Sequence, residues 1–370
     1  MNRLVLFTLA LALLAGAALA SDASSSSPED PRGLKFEGVY YLSYQTGSTA
    51  GVDYSSFDMR RAYLTVKKNL TPILSSRLTL DVTRDQDGDG RGDVEVRVKY
   101  AYADFKLPDL AFLTKPNIEF GVVHTPWLDF EEHIDYYRLR EKMFAERSGV
   151  FNSADFGATF GALLGGTMPE DYQKTVSGKY PGRYGSVALG LYNGGGYHAL
   201  EENQNKVFQG RLTIRPVPDA LPGLQVSALT ILGEGNQPGD PDQTPDWTAL
   251  LAMASYETAW FVATADLING AGNQKGSWTK VGDATEARPY SGWSLFGEGK
   301  LGTAWRVIGG FDSFDPDSDA DDDEYIGYYV GAGYDFGHHT MLLLDYSVKD
   351  YAQTGVDNDQ RTQLTMGVNF

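Results

Sequence analysis

The sequence predicts an all-β chain, a transmembrane antiparallel β-barrel of about sixteen strands. Three observations predict it. Apolar side chains recur at every second position through most of the 370 residues, which is the period of a strand and not of a helix. After residue 32 no apolar run approaches the roughly 20 residues that a bilayer-spanning helix needs. Connections alternate between short and long, as they do in barrels with tight turns at one rim and long loops at the other.

Composition narrows the function classes. Lys and Arg number 31 against 49 Asp and Glu, a formal net charge of −18, so the basic stripe that nucleic-acid binding needs is missing. With no cysteine there can be no disulfide framework, thiolate zinc site or cysteine nucleophile. Twenty-two Tyr, 18 Phe, 6 Trp and 42 Gly in a chain that is polar on average suit a β-protein with one apolar and one polar face.

Along the chain, Asn2-Arg3 is a short basic start, Leu4 to Leu14 an apolar run, and Ala18-Leu19-Ala20 a cleavage-type end before Ser21. Residues 1–20 are therefore expected to be a secretory signal peptide. The Ser-, Pro- and acid-rich residues 21–32 are expected to be a disordered lead-in, and 33–370 the barrel. Strand-type alternation begins at once, with Phe36, Gly38, Tyr40, Leu42 and Tyr44 on one face. It continues through Ala62, Leu64 and Val66, then Leu78, Leu80 and Val82, then Val94, Val96, Val98 and Tyr100. Later it returns in Phe208, Leu212 and Ile214, in Tyr328, Val330, Ala332 and Tyr334, and in a final strand, Leu364, Met366, Val368 and Phe370. A soluble sandwich would turn these faces inward and a membrane barrel would turn them to lipid.

Connector lengths favour the membrane barrel. Tight connections are expected at Asn69–Ile73, Thr258–Ala259, Gly302–Thr303 and Gly337–His339. Long ones are expected at Gln45–Ser56, Asp85–Asp93, Leu128–Ala154, Gly194–Lys206, Glu234–Asp246, Ala271–Arg288, Asp315–Glu324 and Ala352–Asp359. Eight long loops imply about sixteen strands, the size class that leaves an aqueous channel. Leu107–Pro116 and Thr167–Gly185 fall on the short side and are long, so the second could conceal another strand pair.

On this pattern Arg61, Lys67, Arg77, Arg97, Lys99, Arg211, Arg215 and Arg306 face the interior as candidate pore-lining cations. Glu37, Asp81, Glu95, Glu119, Glu298, Asp312 and Asp345 share those faces. Cross-strand ion pairing would stiffen the wall, and a transverse field would guide charged solutes. Tyr40, Tyr44, Tyr100, Trp293, Trp305, Tyr328 and Phe370 fall on outward faces near strand ends, where interfacial aromatic girdles form.

Asp85-Gln86-Asp87-Gly88-Asp89-Gly90-Arg91-Gly92-Asp93 places carboxylates at positions 1, 3, 5 and 9 and Gly at 6 of a calcium-type loop. Asp85, Asp87, Asp89 and Asp93 are the candidate ligands of a weakly held Ca²⁺. The bidentate Glu of position 12 is replaced by Val96, and an acidic hairpin without metal is the alternative. Seven carboxylates in Asp315–Glu324 repel one another and stay solvated, unless divalent ions screen them and bridge to lipopolysaccharide. Gly297 to Gly302 fits G-x-G-x-x-G, but no βαβ context surrounds it, so it is not a dinucleotide site. The five histidines show no metal-binding spacing, and His338-His339 reads as a solvated turn.

Three stretches resemble the phosphate-selective porin O and P family of Gram-negative outer membranes. They are Phe57-Asp58-Met59-Arg60-Arg61-Ala62-Tyr63-Leu64; Gly121 to Trp127 followed by Leu128-Asp129-Phe130-Glu131-Glu132; and Tyr192-Asn193-Gly194 with Gly210-Arg211-Leu212-Thr213 and Pro216. The resemblance implies a sixteen-stranded, commonly trimeric barrel with its third extracellular loop folded into the pore. Where the family has a lysine shortly before its Pro-aromatic pair, this chain reads His124-Thr125-Pro126-Trp127. In its constriction loop Asp129, Glu131, Glu132 and Asp135, with Glu141 and Glu146, outnumber Arg138, Arg140, Arg147 and Lys142. A cationic constriction would select anions; this acidic excess leaves phosphate selectivity open.

The expected function is an outer-membrane porin for small hydrophilic solutes or ions, phosphate among them, doing no chemistry and needing no cofactor beyond the Ca²⁺ of the Asp85–Asp93 loop. Its partners are the bilayer, lipopolysaccharide and, through the Phe370 strand, the machinery that assembles outer-membrane barrels; nucleic acid is not among them. A barrel hydrolase is the alternative, with His124 near Asp129 or His198 near Glu201 as its only apparent pairings. A structural or adhesive barrel without conductance is the third.

Overall fold

A computed structural model describes residues 33–85, 90–239 and 243–370. The proposed signal peptide, the lead-in, Asp87 and Asp89 lie outside the described residues.

Period-two patterning becomes strand throughout the wall. The chain runs through β1 (Leu34–Thr49), β2 (Val52–Thr71), β3 (Leu74–Arg84), β4 (Val94–Lys106), β5 (Leu113–His124), β6 (Ala154–Leu164), β7 (Gly185–Tyr192) and β8 (Val207–Ile214). It continues through β9 (Leu224–Glu234), β10 (Asp246–Glu257), β11 (Phe261–Ala271), a small side hairpin β12 (Thr279–Lys280) and β13 (Asp283–Ala287), and then β14 (Pro289–Leu301). The last strands are β15 (Trp305–Asp315), β16 (Tyr325–Gly337), β17 (Thr340–Tyr351) and β18 (Asp359–Asn369). All but β12 and β13 form one closed barrel in which each strand pairs with its chain neighbours and β18 closes on β1, sixteen strands in all. At the seam Gly38 N donates to Phe370 O at 2.8 Å, Phe370 N donates to Gly38 O at 3.0 Å, and the Phe370 ring lies where a Gly38 side chain would be.

Outward faces are apolar and exposed, as at Phe120 (65%) and Leu267 (62%), and inward faces are buried. A continuous exposed apolar belt of this extent fits lipid and not water. Asp85–Asp93 and most other expected loops connect strands at one rim, and the turns at Pro72-Ile73, Thr258–Trp260, Gly302–Ala304 and His338-His339 close the other.

Three expectations are corrected. Gln45–Ser56 is not a loop: β1 and β2 run on to a two-residue turn at Ala50-Gly51, both with positive φ (48° and 75°), as a tight hairpin requires. Thr167–Gly185 hides no wall strands and instead carries a short helix, α3 (Glu170–Thr175), following α1 (Leu128–Glu131) and α2 (Phe144–Arg147) in the 125–153 segment. Tyr100 faces inward and is 7% exposed, because Lys99 is an extra residue in β4: Leu80 pairs with Val98 and Thr79 with Tyr100. A bulge of this kind reverses the facing of everything beyond it.

The interior holds an apolar core. Trp127, Leu128, Phe130, Ile134, Met143 and Phe144 of the 125–153 segment pack on inward residues of the far wall, among them Leu229, Trp247, Met253, Ile268 and Phe314. The inner faces of β9–β11 thus carry an apolar patch toward the loop (Leu229, Ile231, Trp247, Leu251, Met253, Ile268), with buried polar residues such as Ser227, Thr264 and Asp266 beside it.

Candidate functional site

Starting from the wall, a second bulge sets the positions of the paired arginines. Tyr41 pairs with Arg61 but Leu42 pairs with Met59, so Arg60 is the extra residue and both arginines face the interior. Arg61 sits over the rings of Tyr41 (5.9 Å) and Tyr63 (5.0 Å). Lys99, also at a bulge and 2% exposed, donates to Tyr63 OH at 2.8 Å. Arg77 lies over Tyr100 at 4.6 Å and meets Thr79 Oγ1 and His124 Nε2, each at 3.0 Å. Among the described residues none of these three cations has a carboxylate within ion-pair distance; tyrosine faces hold them, by an attraction that strengthens as water is removed.

The other cations are placed differently. Lys67 is paired with Glu37 at 2.6 Å, and Arg97 with Asp81 at 2.9 Å and Glu95 at 3.6 Å. Arg306 bridges Glu298 (3.5 Å) and Asp335 (3.0 Å). Arg211 and Arg215 face inward but are 1% exposed. Arg211 donates to Pro126 O and Ser186 Oγ under the rings of Phe130 and Tyr180, and Arg215 donates to Tyr172 OH.

The 125–153 segment bonds to strands across the ring from β5 and β6, where it is rooted. Tyr136 and Tyr137 donate to Glu298 Oε1 at 2.6 and 2.8 Å, and the Tyr136 ring stands 4.9 Å from His339 in the opposite-rim turn. Arg147 grips both oxygens of Asp312 (2.6 and 3.1 Å), Arg140 lies 3.5 Å over Tyr329, and Gln363 donates to Leu139 O. Its carboxylates are largely neutralised within these contacts. Glu141 takes Arg361 at 2.7 Å and Arg60 at 3.3 Å; burial resists its charge, but the arginines hold it well below the usual carboxylate range. Arg138 bonds Glu132 at 2.6 Å and also Glu146, which it brings down to about 2 against the pull of burial. Asp129 is half-buried and likewise held low, by His124, His133 and the hydroxyl of Tyr180, against the pull of desolvation. Glu131 and Asp135 are the exceptions: burial pushes both up, and Asp266 of β11 adds to the rise at Glu131.

Some of these partners were not apparent from sequence. Arg60 was assigned no facing because one inserted residue leaves no mark in composition. Tyr41, Tyr63, Tyr102 and Tyr197 face the interior with the cations, and Arg97 stands over Tyr197 at 5.8 Å. For Tyr41 and Tyr63 the available signal was an aromatic on the same alternating face as an arginine; Tyr102 lies beyond the β4 bulge and Tyr197 in the β7–β8 connection, where alternation gives no facing.

The hydrolase pairings do not assemble a site. His124 lies between Glu119 (3.1 Å) and Asp129 (3.5 Å) with Arg77 on its ring, and among the described residues the hydroxyls that bond it, Thr159 Oγ1 and Tyr192 OH, reach its backbone carbonyl and not its ring. His198 packs against Tyr197 at 4.7 Å. Asp85 and Asp93 close the neck of their hairpin by backbone bonds, Asp85 N donating to Asp93 O at 2.8 Å. No group of three or more possible metal ligands occurs among the described residues.

No protein-family model and no curated protein matches the sequence. The fold is that of outer-membrane porins. OmpF of Salmonella typhi, in a complex with daunomycin, is 12% identical, with a TM-score of 0.59, over 91% of this chain and 97% of that one. The outer-membrane channel DcaP of Acinetobacter baumannii is 12% identical over 94% and 100%, with the same TM-score. An anion-selective porin of Comamonas acidovorans is 13% identical over 91% and 99%, again at 0.59.

Proposed function

We propose that the protein is an outer-membrane porin that passes small hydrophilic solutes by diffusion and favours anions. In this reading the 125–153 segment crosses the lumen, covers the apolar patch on the inner faces of β9–β11, and leaves a passage along the β1–β5 wall. The observation that carries the ion preference is the pair Arg61 and Arg77, half-buried on the inner wall and held by tyrosine faces instead of carboxylates. The acidic excess of the loop does not oppose them, because Glu132, Glu141 and Glu146 are engaged by arginines. Cations lining a narrow aqueous passage select anions. Phosphate is the anion the family resemblance adds, and trimeric assembly is the oligomeric state it adds.

Single-channel recording of the refolded protein in a planar bilayer tests the reading. Stable conductance steps are expected, and phosphate added to chloride is expected to reduce them. Folded protein that gives no steps would overturn the channel and return the structural-barrel reading. Binding of Ca²⁺ by the Asp85–Asp93 loop is a separate proposal, supported by its spacing of carboxylates and glycine. It predicts a higher melting temperature in millimolar calcium than in chelator, and equal values would refute it.

A further inference from the structure

The segment between β6 and β7, residues 165–184, leaves the barrel at the rim of short turns, where such a length is unexpected. β5 and β6 pair from Leu113–Leu164 to His124–Ala154, so this segment and the 125–153 segment are rooted at opposite ends of the same hairpin. At about 3.3 Å per residue those ends are roughly 36 Å apart. Yet the two segments touch: Tyr180 OH donates to Asp129 Oδ2, and the Tyr180 ring meets Phe130 edge-on at 5.3 Å and His133 at 5.7 Å. Tyr180 holds φ at 47°, a left-handed conformation that costs a non-glycine residue about 1 kcal/mol or more. These contacts offset that cost.

Beside this junction is a cavity of about 310 Å³ whose walls include the cations Lys67, Arg77, Lys115 and Lys179 and the carboxylates Glu119 and Asp129, which are engaged by His124 and Tyr180. Lys179 is exposed and, among the described residues, has no carboxylate within ion-pair distance. We infer that residues 165–184 form a second pore-narrowing segment entering from the short-turn rim, and that Lys179 is a selectivity-determining residue for anions passing that vestibule. Tyr180 is its positioning residue: the bond to Asp129 fixes the preceding lysine over the cavity. This inference rests on the porin reading above and adds a second barrier to it, in series with the first.

The absence of cysteine makes a direct test available, since Lys179→Cys carries a single thiol. A bulky, negatively charged methanethiosulfonate, added to the variant in a planar bilayer, is expected to cut single-channel conductance at least about twofold. Lys179→Glu is expected to move the zero-current potential toward cations. A thiol shown by mass to be fully modified, with current unchanged, would overturn the second narrowing. An unmoved potential in Lys179→Glu would overturn its role in selectivity. Both outcomes require that unsubstituted protein conducts; if it does not, the porin reading fails, and this inference with it, so the two failures are distinguishable.

Discussion

Arg61 and Arg77 differ from Lys67, Arg97 and Arg306 in what holds them, and from Lys99, Arg211 and Arg215 in being only half-buried. A carboxylate partner cancels a charge for any passing ion, whereas a tyrosine face steadies it and leaves its sign in place. Arg61→Gln should therefore lower the anion-to-cation permeability ratio several-fold, read from the zero-current potential. Arg211→Met should leave that ratio unchanged, since Arg211 is sealed beneath Phe130 and Tyr180. A shift in Arg211→Met as large as that in Arg61→Gln would contradict this division. Facing was legible for Arg61, Lys67, Arg77 and Arg97 from alternation alone. It was not legible for Arg60 or Tyr100, because each follows or forms a bulge, and a bulge is set by pairing geometry with a neighbour strand.

Among the elements, the 125–153 segment depends on buried charge. Arg147 binds Asp312, itself 6% exposed, so Arg147→Ala strands a carboxylate inside the barrel. Breaking one side of such a pair costs about 3 kcal/mol, roughly a hundredfold in the population of detached loop. Limited proteolysis within the loop should accelerate accordingly, and an unchanged rate would refute the anchor. Glu131 sets the opposite sensitivity. Burial and Asp266 raise it, so above the usual carboxylate range the native state keeps a proton that the unfolded chain releases. Anchoring should thus weaken as the pH rises above the usual carboxylate range. Glu131→Gln should reduce that slope in proteolysis rate, leaving the part that Asp135 contributes, and a variant with the slope undiminished would exclude Glu131 as a cause. Glu146 acts at the other end: held at about 2, its contribution is full above the usual carboxylate range and is lost progressively as acidification proceeds from there through about 2. The loop's charges were visible in sequence, but their pairing was not, because Arg60, Asp312 and Arg361 lie 81, 165 and 220 residues from their loop partners.

At the scale of the whole molecule, strand number followed from loop alternation even though one of the eight loops was a tight hairpin. The long hairpin of β1 and β2 still counts as one rim connection. The half-filled interior was the harder feature. A run such as Ala249 to Ala254, apolar at every position, marks a strand with two apolar faces, and a water-filled lumen alone would not tolerate the inner one. In the proposed reading, the 125–153 segment covers that face and the cation-bearing β1–β5 wall bounds the passage. The zero-current potential of the refolded protein across a KCl gradient tests this most directly. The account predicts stable conductance with a potential displaced toward the chloride equilibrium; displacement toward potassium would contradict it.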